Sequence, residues 1–93
     1  MPAEVEAALF EHPAVAEAAV AAVPHPVLGE DVAAWVVLRQ PASVAELRSF
    51  LLTRLADYKV PRRITVVGAL PRNESGKVLK SQLVPGDEPR SPS

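Results

Sequence analysis

Ninety-three residues suffice for one small domain, and a chain this short buries only about 60 to 65% of the surface its unfolded form exposes. Ten Lys and Arg against eleven Asp and Glu give a net charge of −1, which argues against nucleic acid as a partner. The absence of cysteine excludes disulfides and thiol chemistry, two histidines argue against a zinc site, and no apolar run is long enough to span a membrane. The N-terminus lacks the basic and apolar regions of a signal peptide, so the composition fits a reducing cytoplasm.

Alanine makes up a third of the apolar residues, so the core is expected to rest on Val, Leu, Trp35, Phe10 and Phe50. From Pro2 to Glu11, a first-turn proline, the early acids Glu4 and Glu6, and Val5, Ala8 and Leu9 at helical spacing predict a short helix stopped before Pro13. Residues 14–23 are ambiguous, because alanine favours helix while the flanking Pro13 and Pro24, together with the family resemblance given below, favour a strand, which is the reading adopted. A loop is expected from Pro24 to Gly29, with Gly29 as a turn glycine, and a buried strand carrying Trp35 from Val32 to Leu38. Both His12 and His25 stand beside prolines in loops.

Ser43-Val44-Ala45-Glu46 is a capping box. It opens a helix over about 44–56 that places Val44, Leu47, Leu51 and Leu55 on one face, with Arg48 and Arg54 off it. Arg63 to Val67 reads as a β-branched strand, Gly68 to Gly76 as a loop, and Val78 to Leu83 as a final helical turn. After residue 84, P-G-D-E-P-R-S-P-S offers nothing apolar to anchor it and is expected to be a disordered tail over 85–93. The sum is an α+β domain over residues 1–84, with a sheet of about three strands and helices packed on it.

Charge is distributed unevenly. Residues 1–38 carry −6 and residues 39–93 carry +5. Lys59, Arg62, Arg63, Arg72, Lys77 and Lys80 crowd into 22 residues and give the chain a basic end. Within that region the stretch Pro71-Arg72-Asn73-Glu74-Ser75-Gly76-Lys77-Val78-Leu79-Lys80 sets a lysine behind a glycine. The glycine permits positive φ or close approach to a ligand, and the lysine offers a mobile cation with three donors, a combination suited to phosphate or carboxylate. A nucleotide-binding P-loop is excluded, because Pro71 stands where its first glycine should be and Val78 follows the lysine in place of Ser or Thr.

The same stretch resembles the C-terminal signature of the adenylate-forming acyl-CoA synthetases, P-R-[TN]-x-[ST]-G-K-[ILV]-x-[KR]. Upstream, Tyr58-Lys59-Val60-Pro61 resembles the YKVP turn of that superfamily, His12-Pro13-Ala14-Val15 its HPAV segment, and Gly29-Glu30 the G-E pair before its central strand. The likeness covers roughly residues 2–84. It is nearer to the acyl-CoA ligase branch than to the peptide-synthetase branch, where an acidic residue follows N-G-K. Glu74 and His25 depart from the residues expected of the family.

The resemblance implies the mobile C-terminal lid domain of an acyl-CoA ligase. In that reaction a carboxylic acid and ATP give an acyl-adenylate and pyrophosphate, and CoA then takes the acyl group and releases AMP. It implies that Lys77 is the catalytic lysine of adenylation, bridging the attacking carboxylate and the α-phosphate. Arg72, Ser75 and Gly76 are candidates to orient the loop or touch phosphate, and Lys59, Arg62 and Arg63 are candidates to attract CoA phosphates. ATP, CoA and Mg2+ are expected in the complete enzyme, none tightly held by this domain and no metal bound here.

The implied partners are a large N-terminal adenylation domain and a small carboxylic or fatty acid. A hinge is expected just before Pro2, Met1 reads as a start codon placed on an excised domain, and the isolated chain is expected to be inactive. The alternative is a regulatory module whose basic loop holds a phosphorylated ligand or a protein partner. Acylation of Lys77, which would remove its charge, is a related possibility.

Overall fold

A computed structural model describes residues 2–84; the expected tail at 85–93 lies outside the described residues. Helix α1 (Pro2–Phe10) is followed by strand β1 (Val15–His25), strand β2 (Gly29–Leu38), helix α2 (Val44–Leu52), a 3-10 turn (Asp57–Lys59), strand β3 (Arg63–Val66) and a second 3-10 turn (Lys80–Gln82). The sheet runs in the order β1-β2-β3, with β2 antiparallel to β1 and parallel to β3. Joining parallel neighbours requires a crossover, which α2 supplies. The expected α+β fold is thus the one observed.

Helix α1 buries Val5, Ala8 and Leu9, as its spacing predicts. It ends where the His12 imidazole accepts a hydrogen bond from the Ala14 backbone at 3.0 Å, turning the chain at Pro13. Phe10, expected in the core, is instead 53% exposed, because it falls on the outer side of the helix relative to Val5 and Leu9. Phe50 is half-buried and packs edge-on against His12, with the Arg54 guanidinium over its ring at 3.9 Å.

Residues 15–25 form a strand, and alanine's helical preference loses to pairing. Ala19 lies opposite Trp35 in the register, so a small residue makes room for the large one. Between Val15 and Glu17 the register shifts, and this bulge puts Val15 and Val20 in the same core despite their odd spacing. The expected loop shortens to residues 26–28, and β2 begins three residues earlier than predicted. The hairpin is closed by Gly29 at φ +86 and by His25 Nδ1, which accepts from the Val27 and Leu28 backbones. A positive φ after a three-residue hairpin loop is where glycine is favoured.

Strand β2 is central, and Ala33, Ala34, Trp35 and Val36 are all buried because both faces of the sheet are covered. One face packs Val20, Ala34, Val36 and Ile64 against Leu9 of α1 and Leu47 and Leu51 of α2. The other packs Ala19, Val23, Ala33 and Trp35 against Leu70, with Val78 and Leu83 at its margin. The segment after β3 therefore acts as a third layer, although it holds little regular structure.

The capping box of α2 is present in both halves: Ser43 Oγ accepts from the Glu46 backbone at 3.0 Å, and Glu46 Oε1 accepts from the Ser43 backbone at 3.0 Å. The helix stops at Leu52, four residues short of the expected end. There Thr53 turns its hydroxyl onto the Phe50 carbonyl at 2.6 Å, the local competition that disfavours Thr within helices. Leu55 still reaches the core, because its amide bonds Leu51 O at 2.8 Å and continues the turn. The helical turn expected over 78–83 is a single 3-10 turn at Lys80–Gln82.

Candidate functional site

The segment 71–79 folds back on itself as a tight loop. Arg72 and Val78 form an antiparallel bridge, Leu79 donates to Pro71 O at 2.8 Å, and Asn73 donates to Lys77 O at 3.0 Å. Asn73 organises the interior. Its Oδ1 accepts from the Ser75 backbone at 3.0 Å, the Ser75 hydroxyl at 2.8 Å and the Lys77 backbone at 3.0 Å. An amide side chain bonding backbone two residues on is the usual device of asparagine in turns. Gly76 completes the turn at φ +87 and donates to Asn73 O at 2.9 Å. The lysine therefore sits in a hairpin-like turn closed by backbone bonds, not between a loop and the helical turn expected over 78–83.

Arg72 grips the loop from outside. Its Nη1 donates to Gly76 O at 2.6 Å and its Nη2 to Glu17 Oε1 at 2.6 Å. Arg72, Ser75, Gly76 and Lys77 are thus one structural unit, with Ser75 hydroxyl turned inward to Asn73.

Lys77 differs from the other two lysines. Lys59 holds Glu4 at 3.1 Å, and Lys80 holds Glu6 at 2.8 Å and the Val20 carbonyl at 2.7 Å. The Lys77 side chain is exposed, and among the described residues its ammonium has no hydrogen-bond or ion-pair partner. Its three donors are exposed, and among the described residues no carboxylate holds them.

Lys59 and Arg62 lie elsewhere, in the connection from α2 into β3, and Arg63 is the first residue of β3. The carboxylate of Glu4 holds the Lys59 pKa above the ordinary lysine value through a hydrogen bond and its charge. Arg62 faces Asp31 at 3.4 Å, and its backbone is held where Arg48 reaches Arg62 O at 3.1 Å and Pro61 O at 2.6 Å. An apolar hollow of about 280 Å³ lined by Pro2, Val5, Ala22, Val32, Tyr58 and Lys59 adjoins this cluster. A shallower one of about 490 Å³ runs between His12 and Thr53. Neither hollow is lined by any residue of the 71–79 loop.

Sequence reasoning missed Asn73, Glu17, Glu6 and Lys80 as parts of the site. Asn73 carried a usable signal, since Asn with Ser two residues later is an Asx-turn pattern. Glu17 carried none, for it meets Arg72 across 55 positions of chain.

The chain is a small α+β domain whose braced turn presents a lysine with no partner among the described residues. The family described as the AMP-binding enzyme C-terminal domain matches residues 4–77, and the chain belongs to that family. Its relatives are CoA ligases of the adenylate-forming superfamily. It is 46% identical over 82 residues to the 2-succinylbenzoate--CoA ligase of Bacillus subtilis, covering 88% of this chain and 17% of that protein. Among solved structures it resembles the Mycobacterium tuberculosis fatty acyl CoA synthetase at TM-score 0.81 and 41% identity, covering 86% of this chain and 16% of that one. It also resembles the Bacillus subtilis o-succinylbenzoate CoA synthetase in complex with the acyl-adenylate intermediate OSB-AMP, at TM-score 0.81 and 43% identity, covering 92% and 18%. The chain therefore spans under a fifth of the length of these relatives.

Proposed function

We propose that this chain is the C-terminal domain of an ATP-dependent acyl-CoA ligase and that Lys77 is the cation of its adenylation step. The observation that carries this reading is the ammonium of Lys77, alone among the three lysines in lacking a partner among the described residues. In the first half-reaction a carboxylate oxygen of the acid attacks the α-phosphorus of ATP, the bond to the β-phosphate oxygen breaks, and pyrophosphate leaves with its electron pair. Negative charge gathers on the α-phosphate oxygens between attacking and departing groups. A lysine held between carboxylate and phosphate stabilises that state more than the separated reactants, which is what lowers a barrier. In the second half-reaction the CoA sulfur attacks the acyl carbon and AMP departs, and Lys77 is not needed.

The relatives' greater length supports a large N-terminal domain as the partner that binds ATP, the acid and CoA. The lid reading follows: the domain delivers Lys77 for adenylation and turns away for thioester formation. Among the described residues no three His, Cys, Asp or Glu side chains gather to hold an ion. Lys59, Arg62 and Arg63 remain proposed CoA contacts, and engaging CoA there requires Lys59 to exchange Glu4, and Arg62 to exchange Asp31, for phosphate. No helix among the described residues is long and apolar enough to cross a membrane, and the cytoplasm is the proposed compartment.

The test is Lys77→Ala in the complete ligase. Loss of one donor to a developing oxyanion lowers rate by roughly 10² to 10³. Adenylate formation, followed by pyrophosphate release, should fall by that factor, while thioester formation from pre-made acyl-adenylate holds. Equal loss in both half-reactions removes Lys77 from the role.

A further inference from the structure

Two ionic anchors flank Lys77, and both end on the segment 1–25. Before the lysine, Arg72 bridges Glu17 of β1 and the carbonyl of Gly76, the residue preceding Lys77. After it, Lys80 binds Glu6 of α1 and the Val20 carbonyl, while Glu6 also accepts from the Val20 backbone at 2.7 Å. Strand β1 lies at the edge of the sheet, so these side chains satisfy backbone groups that no further strand reaches. Without these anchors only the loop's own hydrogen bonds would hold it, so it would open more often and lose its orientation on the sheet.

We propose that Glu17 is a positioning residue for Lys77, acting through the Arg72 guanidinium to hold the lysine turn on the edge of β1. The proposal rests on the adenylation reading of Lys77. Glu17 touches no reacting atom. It fixes the plane of the Arg72 fork, one arm of which fixes the Gly76 carbonyl and hence the backbone from which Lys77 projects. A planar fork with two separated donors can serve Glu17 and Gly76 O together, whereas an ammonium concentrates its donors on one atom. Arg72 accordingly acts as a brace. Both side chains of the pair are about 40% exposed, where ion pairs add little to global stability, so the consequence of losing it is local.

The experiment has two arms. In the 93-residue chain, amide hydrogen exchange should quicken at least about tenfold at Asn73, Gly76 and Lys77 in Glu17→Gln and in Arg72→Lys, with the amides of Leu47 and Leu51 unchanged. In the complete ligase, Glu17→Gln should lower adenylation kcat by about 10- to 100-fold, the cost of a misplaced group. KM for ATP should stay within about threefold and thioester formation from pre-made acyl-adenylate should be intact. The double variant should lose little more than either single one, since both break one brace. Unchanged exchange in both single variants, or equal loss of both half-reactions, overturns the proposal. Lys77→Ala run alongside separates the two ideas: if it adenylates at the parental rate, the reading of the lysine fails, and the exchange data alone judge the brace.

Discussion

Gly76 offers a clean separation of backbone strain from crowding. Its φ is +87, and a Cβ built on it meets no atom within 4 Å, so Gly76→Ala introduces no clash. The whole penalty is the left-handed backbone, about 1 to 2 kcal/mol for an L-residue, which raises the ratio of open to closed loop by about 5- to 30-fold. The loss should register at the loop amides of Asn73 and Lys77, and in global urea denaturation only up to the free energy at which the loop opens by itself. Hydrogen exchange followed by NMR is therefore the assay. Gly29 is the control, because it has φ +86 and equally empty surroundings but serves the β1-β2 hairpin. Gly29→Ala should loosen the hairpin amides and leave the 71–79 loop as it was. D-alanine at position 76, introduced by peptide ligation, favours positive φ and should restore protection to at least the parental level. If D-Ala and L-Ala at 76 prove equally disruptive, the strain argument is wrong and the methyl group itself must be obstructing something.

Ser43→Ala removes one half of the cap on α2 and unseats the other, and should lower stability by about 1 kcal/mol in urea denaturation, with Ser43→Asp close to parental. Trp35→Phe keeps the ring in its apolar layer but loses the indole hydrogen bond to Val84 O at 2.7 Å. It should cost about 1 kcal/mol and loosen the amide of Leu83 before those of the sheet. The Lys59 pKa is raised by Glu4, so the stabilisation from that pair is fully present below the ordinary lysine value of about 10.4 and disappears as pH rises through the higher folded value. The stability gap between the parent and Glu4→Gln should hold from about pH 7 to about pH 9 and close above the lysine range; a gap unchanged at the alkaline end would contradict the assignment.

Features decided within four or five residues were readable in advance. The reciprocal bonds of Ser43 and Glu46, the positive φ of Gly76 and the turn at Gly29 each depend on one short stretch of backbone and on side chains that reach it. The lysine motif was legible for the same reason. Where local preference was divided, only packing settled the outcome. Residues 15–25 became a strand because β2 offered a partner whose Trp35 needs alanine opposite it. The end of α2 at Leu52 is the local exception: Thr53 bonds the Phe50 carbonyl, a signal that the helical spacing of Leu55 masked.

The site's support was not legible at all. Glu17 and Arg72 stand 55 positions apart, and Glu6 meets Lys80 only after α1, β1 and the final segment have closed on the same sheet edge. A charged side chain in a sequence is compatible with many partners, and chain closure selects one. Thus residues 71–80 carried the identity of the candidate lysine, whereas the contacts that orient its turn came from the sheet, because orientation is a relation between distant parts of the chain.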